Sequence, residues 1–287
     1  MHWPAPGIDG ADATINARAW RTHRVDPKMV PTPTHPPPSS DPNETDNAMT
    51  EPLTPLPSST VLPVTHAGVR VPTVFWAPAT PSRGIVLAAH GGSGHKLSQA
   101  VLAIASHCLP LGLSVLAIDG PVQGDRRSDG NLDPVVALTA FREAWRAGVG
   151  RTRMAQEWQA ALDQLLAQPG HAGLPIGYIG VSMGTAYGLP LLATEPRIQA
   201  AVLGLWGSTY AASEHLAAYA QRVRCPVWFT QQWNDEFFDR EGTFALFDAI
   251  GSEDKRLVAY PGAHRELEGA RLADAVAFVA SRLLPIT

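Results

Sequence analysis

Gly177-Tyr178-Ile179-Gly180-Val181-Ser182-Met183-Gly184-Thr185 is a short apolar run that ends in G-x-S-x-G and passes at once into a helical stretch. A strand that turns directly into a helix strains the backbone of the residue at its apex. Glycines two positions to either side let neighbouring chain pass without a clash. Ser182 at that apex would present its hydroxyl at the end of a sheet, beside the positive end of the following helix. The stretch therefore predicts a strand before Gly180, a helix after Ser182 and a sheet whose strand ends carry chemistry.

Outward from this turn, apolar or β-branched runs recur at 71–76, 84–90, 113–119, 176–182, 199–206, 226–232 and 256–260. Helical stretches lie between most of them: Met154, Trp158, Leu162 and Leu165 share one helix face, as do Leu272, Val276, Val279 and Leu283. Strands alternating with helices predict an α/β fold, a mostly parallel sheet with helices on both faces. Ligands then meet the loops at the carboxyl ends of the strands. An insertion over 119–151 breaks the alternation. Its loop DGPVQGDRRSDGN leads into a predicted helix over 134–146, with Leu138, Phe141 and Trp145 on one face and Gly148 and Gly150 at its end. The segment 134–150 is either an ordinary surface helix or a small lid over the site.

A serine hydroxyl is too weak an acid to attack unaided and needs a base oriented by a carboxylate. After a nucleophile on such a turn, acid and histidine follow in that order. His264, in Tyr260-Pro261-Gly262-Ala263-His264, comes just after the last strand; His215 reads as helical and solvent-facing. Asp235 stands just past the strand that ends near Gln232. Glu236 and Asp239 are its rivals and suit a helix start. The run His90-Gly91-Gly92-Ser93-Gly94 follows a strand, and its bare amides could stabilise an oxyanion. Gly92 is the expected donor, with Gly91 or Ser93 as alternatives, and the Met183 N–H is the second. A phosphate loop is excluded because no Gly-Lys-Ser/Thr and no G-x-G-x-x-G occurs here. Trp206, Trp233 and Phe237, near strand ends, are candidate substrate-binding walls, with Phe238 and the helical pair Phe141 and Trp145 behind them.

HGGSG, GVSMG, Asp235 and PGAH, in this order, resemble the α/β-hydrolase superfamily, in particular its small bacterial esterases related to dienelactone hydrolases; AIDGPVQGDR and GYIGVSMGT look like the same group. The resemblance implies an eight-stranded sheet, hydrolysis of an acyl bond, and Ser182, Asp235 and His264 as triad. Dienelactone hydrolases proper carry cysteine where this chain has Ser182. Many relatives have histidine where Gln123 stands, which implies an altered substrate contact there. The expected function is a serine hydrolase that cleaves a small-molecule carboxylic ester through an acyl-serine, without metal or cofactor. A peptidase or acyltransferase with the same triad, or a binding member of the fold without turnover, are the competing readings.

The composition fits. The 287 residues carry a formal charge of −4, with no basic run, which argues against nucleic acid as a partner. Two cysteines without C-x-x-C spacing indicate neither a disulfide scaffold nor a zinc site. Thirteen of the 26 prolines lie at or before Pro63, so residues 1–60 read as a disordered tail and 61–287 as the catalytic domain. Met49 opens a self-sufficient shorter chain and is an expected start of translation. The absence of a secretory pattern near the N-terminus predicts a cytoplasmic protein. The uncharged run 97–118 is long enough for a membrane span, but Pro110 and Gly112 divide it into a helix and a core strand.

Overall fold

The computed structural model describes residues 56–284, all within the compact unit Thr50–Thr287. The expectations for residues 1–55, Met49 included, lie outside the described residues. Nine strands follow in chain order: β1 (Val64–His66), β2 (Val69–Val71), β3 (Thr73–Trp76), β4 (Gly84–Ala88), β5 (Leu113–Ile118), β6 (Ile176–Ile179), β7 (Ile198–Gly204), β8 (Val227–Gln232) and β9 (Lys255–Tyr260). The helices are α1 (Gln99–Cys108), α2 (Pro134–Arg146), α3 (Arg153–Leu166), α4 (Met183–Leu192), α5 (Leu216–Ala220), α6 (Arg240–Ala249) and α7 (Gly269–Leu283).

The main sheet has the order β3-β5-β4-β6-β7-β8-β9 and is parallel except where β3 meets β5. It has seven strands, not the eight that the family resemblance implies. The missing place is explained by β1 and β2, which pair with each other instead. Their turn, Ala67-Gly68, has φ of 50° and 75°, the positive values a tight hairpin needs. Pro72, which has no N–H for a ladder, separates β2 from β3 and splits the expected run 71–76. At the end of the expected tail, Thr60 exchanges two hydrogen bonds of 2.8 Å with Phe75, so the ordered chain already includes that residue.

Both sheet faces are covered. On one, Leu87, Tyr178 and Phe229 pack with residues of α2 to α5, among them Trp145, Trp158 and Leu216. On the other, Val86, Ile179 and Val202 pack on α1 and α7 through Val101, Ile104, Leu272 and Val276. Neighbours along a strand thus serve opposite cores, and the central strands read as continuously apolar runs. The same packing accounts for the uncharged run 97–118. It forms α1, a short 3₁₀ turn and the fully buried β5, joined by Gly112 at φ 76°. No helix among the described residues is long and apolar enough to cross a membrane.

The strand order sets the site. From β4 the chain moves to β5 on one side, then returns past β4 to β6 on the other. Loops leaving neighbouring strands at such a reversal diverge and leave a crevice between them. Here those loops carry Gly91-Gly92 and Ser182.

Candidate active site

Ser182 has φ 56° and ψ −122°, a costly conformation for a residue with a Cβ. Several bonds hold it there. Its N–H donates to the Gly204 carbonyl at 2.9 Å. The Thr185 hydroxyl donates to that carbonyl at 2.6 Å and accepts the Gly204 N–H at 2.7 Å. The Tyr178 hydroxyl donates to the Gly184 carbonyl at 2.6 Å. The glycines are needed for close approach: a Cβ at Gly180 would lie 2.9 Å from that of Ala89, and one at Gly184 3.3 Å from it. The turn is tucked in rather than protruding, and Ser182 is 8% exposed.

His264 Nε2 lies 3.2 Å from Ser182 Oγ, and its Nδ1 lies 2.8 Å from Asp235 Oδ2. The Asp235 carboxylate is itself fixed, with Oδ1 accepting the N–H groups of Phe237 at 2.9 Å and Phe238 at 3.0 Å. Because Nδ1 faces a carboxylate, it carries the ring proton and Nε2 presents a lone pair to the serine. The rivals sit elsewhere. Asp239 caps α6 by accepting from Gly242 N–H at 2.7 Å. With the Thr209 hydroxyl at 2.6 Å, this holds its carboxyl below the usual carboxylate range. Glu236 is not a helix-start carboxylate: its Oε2 accepts the His264 backbone N–H at 2.8 Å. His215 is not solvent-facing. Its half-buried ring packs 5.6 Å from that of Trp145, and burial, with Arg151 nearby, lowers its pKa.

The glycine loop is fastened from below. His90 Nε2 accepts the Gly120 N–H at 2.9 Å while Nδ1 lies 2.8 Å from the Gly91 carbonyl, so Nδ1 carries the proton. Burial lowers the His90 pKa to about 4 and keeps the ring neutral. Gln123 is fully buried, and its Nε2 donates to the Gly92 carbonyl at 3.3 Å and lies 3.4 Å from Met183 Sδ. It thus ties the two expected oxyanion residues to each other. Asp119 accepts from the Lys96 N–H at 2.9 Å, Lys96 Nζ at 2.8 Å and the Asp125 N–H at 2.8 Å, tying the insertion to the same loop. Neither the Gly92 nor the Met183 amide donates to a partner among the described residues.

Of the expected walls, Phe237 and Phe238 border the imidazole. The Phe237 ring is 5.2 Å from that of His264, with the Arg142 guanidinium 4.8 Å from its centre. Trp206 is 1% exposed: its Nε1 donates to Ser213 Oγ at 3.1 Å, and its ring packs on Phe238 at 4.7 Å. Trp233 points outward beneath Arg240, 4.4 Å from its ring centre. Phe238 lies 5.4 Å from His264, one layer in front of Trp206. Helix α2 reaches the site through Phe141 and Leu138, which lie against Gly92. Motif reasoning passes over Glu266. Its Oε1 presses on Gly91, and burial, aided by Glu268 and opposed by His264, raises its pKa to about 7. Among the described residues no group of three or more His, Cys, Asp or Glu is placed to hold a metal ion.

No family model matches the chain, and a comparison with curated proteins finds no match. Solved structures do match. A cold-adapted esterase from an Arctic intertidal metagenomic library is 36% identical, with a TM-score of 0.70, over 79% of this chain and 93% of that one. A dienelactone hydrolase from Anabaena variabilis is 20% identical, with a TM-score of 0.56, over 79% of this chain and 96% of that one. A dienelactone hydrolase-like promiscuous phosphotriesterase from metagenomic libraries is 21% identical, with a TM-score of 0.58, over 77% and 93%. The last two share the fold, whereas the first is similar enough in sequence and coverage to fix kinship. With its mostly parallel sheet, strained serine turn and 36% identity to a solved esterase, the chain belongs to the α/β-hydrolase superfamily, among its esterases.

Proposed function

We propose that this protein hydrolyses carboxylic esters of small molecules through an acyl-Ser182 intermediate. Ser182 Oγ attacks the ester carbonyl carbon as its proton passes to His264 Nε2. Asp235 keeps the imidazole oriented and stabilises its protonated form without taking the proton itself. The amides of Gly92 and Met183 receive the oxyanion of the tetrahedral intermediate. His264 then gives its proton to the departing alkoxide, leaving an ester between the acyl group and Ser182. A water molecule attacks that ester while His264 takes its proton. Collapse of the second intermediate returns the proton to Ser182 and frees the acid.

The observation that carries this proposal is the single imidazole lying 3.2 Å from Ser182 Oγ on one edge and 2.8 Å from Asp235 Oδ2 on the other. Cysteine chemistry is not part of it, because burial raises the thiol pKa of Cys108 to about 12 and of Cys225 to about 11. The proposed route uses no metal or cofactor. In the proposed organisation, the catalytic domain takes in Thr60, which pairs with Phe75 of β3, and residues 134–150 form its lid. The proposed location is the cytoplasm, where both thiols stay reduced.

A fluorophosphonate probe tests the proposal. Intact mass and peptide mapping should find one adduct, on Ser182, in the wild type and none in Ser182→Ala. Unmodified wild-type protein, or an adduct elsewhere, would falsify the assignment.

A further inference from the structure

Ser182, His264 and the oxyanion amides leave a bound ester only one orientation. The carbonyl oxygen must face the Gly92 and Met183 amides, and the alcohol oxygen must come within reach of His264 Nε2 to collect its proton. The alcohol therefore lies on the His264 side and the acyl chain beside the glycine loop.

These two sides differ. By His264 stands Phe237, which is 40% exposed and has only the flexible Arg142 side chain of α2 over its ring, so an alcohol group there meets solvent and one movable side chain. By the glycine loop stands helix α2. A methyl group added to Gly92 would meet Phe141 Cδ1 at 2.5 Å and Leu138 Cδ1 at 3.3 Å, so both side chains lie directly on that loop. Phe141 is 3% exposed and is held by the rings of Trp206 at 6.1 Å, Tyr187 at 6.3 Å and Trp145 at 6.4 Å. The wall continues without a break, from Trp206 to Phe238 at 4.7 Å and from Phe238 to His264 at 5.4 Å. Close-packed rings of this kind do not yield space without a cost in packing.

We propose that Phe141 closes the acyl side of the site and restricts the enzyme to esters of short acyl chains, acetyl to butyryl, while the alcohol is only loosely selected. This rests on the proposed serine mechanism. It goes further by naming the substrate class and the residue that sets it. Leu138 shares the wall, and α2 supplies both side chains.

The test is kcat/KM for p-nitrophenyl acetate, butyrate and octanoate with wild type, Phe141→Ala and the milder Phe141→Leu, alongside fluorophosphonate labelling of the wild type. The octanoate-to-acetate ratio is the readout, so a change in the amount of folded protein cancels. Wild type should favour acetate or butyrate over octanoate by about tenfold or more, the discrimination a snug apolar wall gives. Phe141→Ala should raise the ratio by about tenfold, with Phe141→Leu in between. Wild type that is labelled at Ser182 yet prefers octanoate, or a ratio unmoved in both variants, overturns this inference alone. Wild type that is neither labelled nor active on any of the three esters overturns the serine mechanism and this inference with it.

Discussion

The two halves of the site are built from different materials. The nucleophile turn hangs on the middle of the sheet: Ser182 N–H and the Thr185 hydroxyl both bond Gly204 at the end of β7, and every partner is buried. The histidine half hangs on two surface loops, where carboxylates do the fastening: Asp235 on Nδ1, Glu236 on the backbone N–H of His264, and Glu266 against Gly91. Strain at Ser182 persists because a buried, fully bonded backbone over-determines it. An imidazole that must shuttle protons needs orientation but not burial, and charged loop side chains supply that with freedom left over. Damage to the first half should therefore appear as lost stability, and damage to the second as lost rate or altered pH dependence.

Removing the imidazole is the severest test on the histidine side. His264→Ala should lower kcat/KM by about 10³-fold or more, since among the described residues no other side chain is hydrogen-bonded to Ser182 Oγ to take its proton. Its melting temperature should stay close to wild type, because the ring is partly exposed. A variant that unfolds instead would erase the contrast between the halves. On the serine side, Thr185→Val deletes the hydroxyl and leaves the Gly204 N–H buried without an acceptor. The expected cost is about 1–3 kcal/mol of stability, read as a melting temperature lower by roughly 2–4 °C per kcal/mol. A melting temperature equal to wild type would show that the turn does not lean on Gly204.

The contrast also governs what could be read before the structure. All seven strands of the main sheet are legible, because each is a local apolar run, and α2 begins at Pro134 and ends at Arg146 as its face pattern and glycines predict. The order of Ser182, Asp235 and His264 is enough to anticipate that they meet, since the turn and two strand ends place them. Polar residues whose setting depends on distant chain are not legible. Gln123 finds its partners at Gly92 and Met183, and His215 finds Trp145, far along the sequence in each case. Trp206 shows the same limit from the apolar side, because proximity to a strand end says nothing about the Phe238 ring that screens it. The eighth strand fails for a local reason: Ala67-Gly68 folds β1 back onto β2.

Glu266 offers a finer test of how the histidine half responds to pH. Burial raises its pKa from 4.5 to about 7, so it is protonated below that value and ionised above it. Ionisation puts a negative charge against Gly91, next to the loop that must receive an oxyanion, and like charges there oppose each other. His264 must be neutral to act, which gives an acid limb. Glu266 should add a decline of several-fold as pH rises through about 7, and Glu266→Gln should flatten that alkaline side alone. Stability follows the same sign. The native state holds this proton more tightly than the unfolded chain, so the contribution is full below pH 4.5 and is lost as pH rises through about 7. Chemical denaturation at pH 5 and pH 8 should show the variant gaining on wild type at the higher pH. Equal pH profiles for kcat/KM in both proteins would remove Glu266 from the account.

His215 provides the smallest effect and the sharpest control, because it is the other histidine that follows Ser182 in the chain. Its ring lies tilted against Trp145 and edge-on to Tyr219, and it contributes packing at the foot of α2 rather than a proton path. His215→Ala should cost about 0.5–1.5 kcal/mol, the worth of one aromatic contact, and leave kcat/KM for p-nitrophenyl acetate within about twofold of wild type. Burial keeps this ring's pKa below its ordinary value, so the variant should also leave the acid limb of activity where it was. A large loss of rate with an unchanged melting temperature would mean that α2 and its base take part in turnover. The division between a rigid serine half and a proton-handling histidine half would then be drawn in the wrong place.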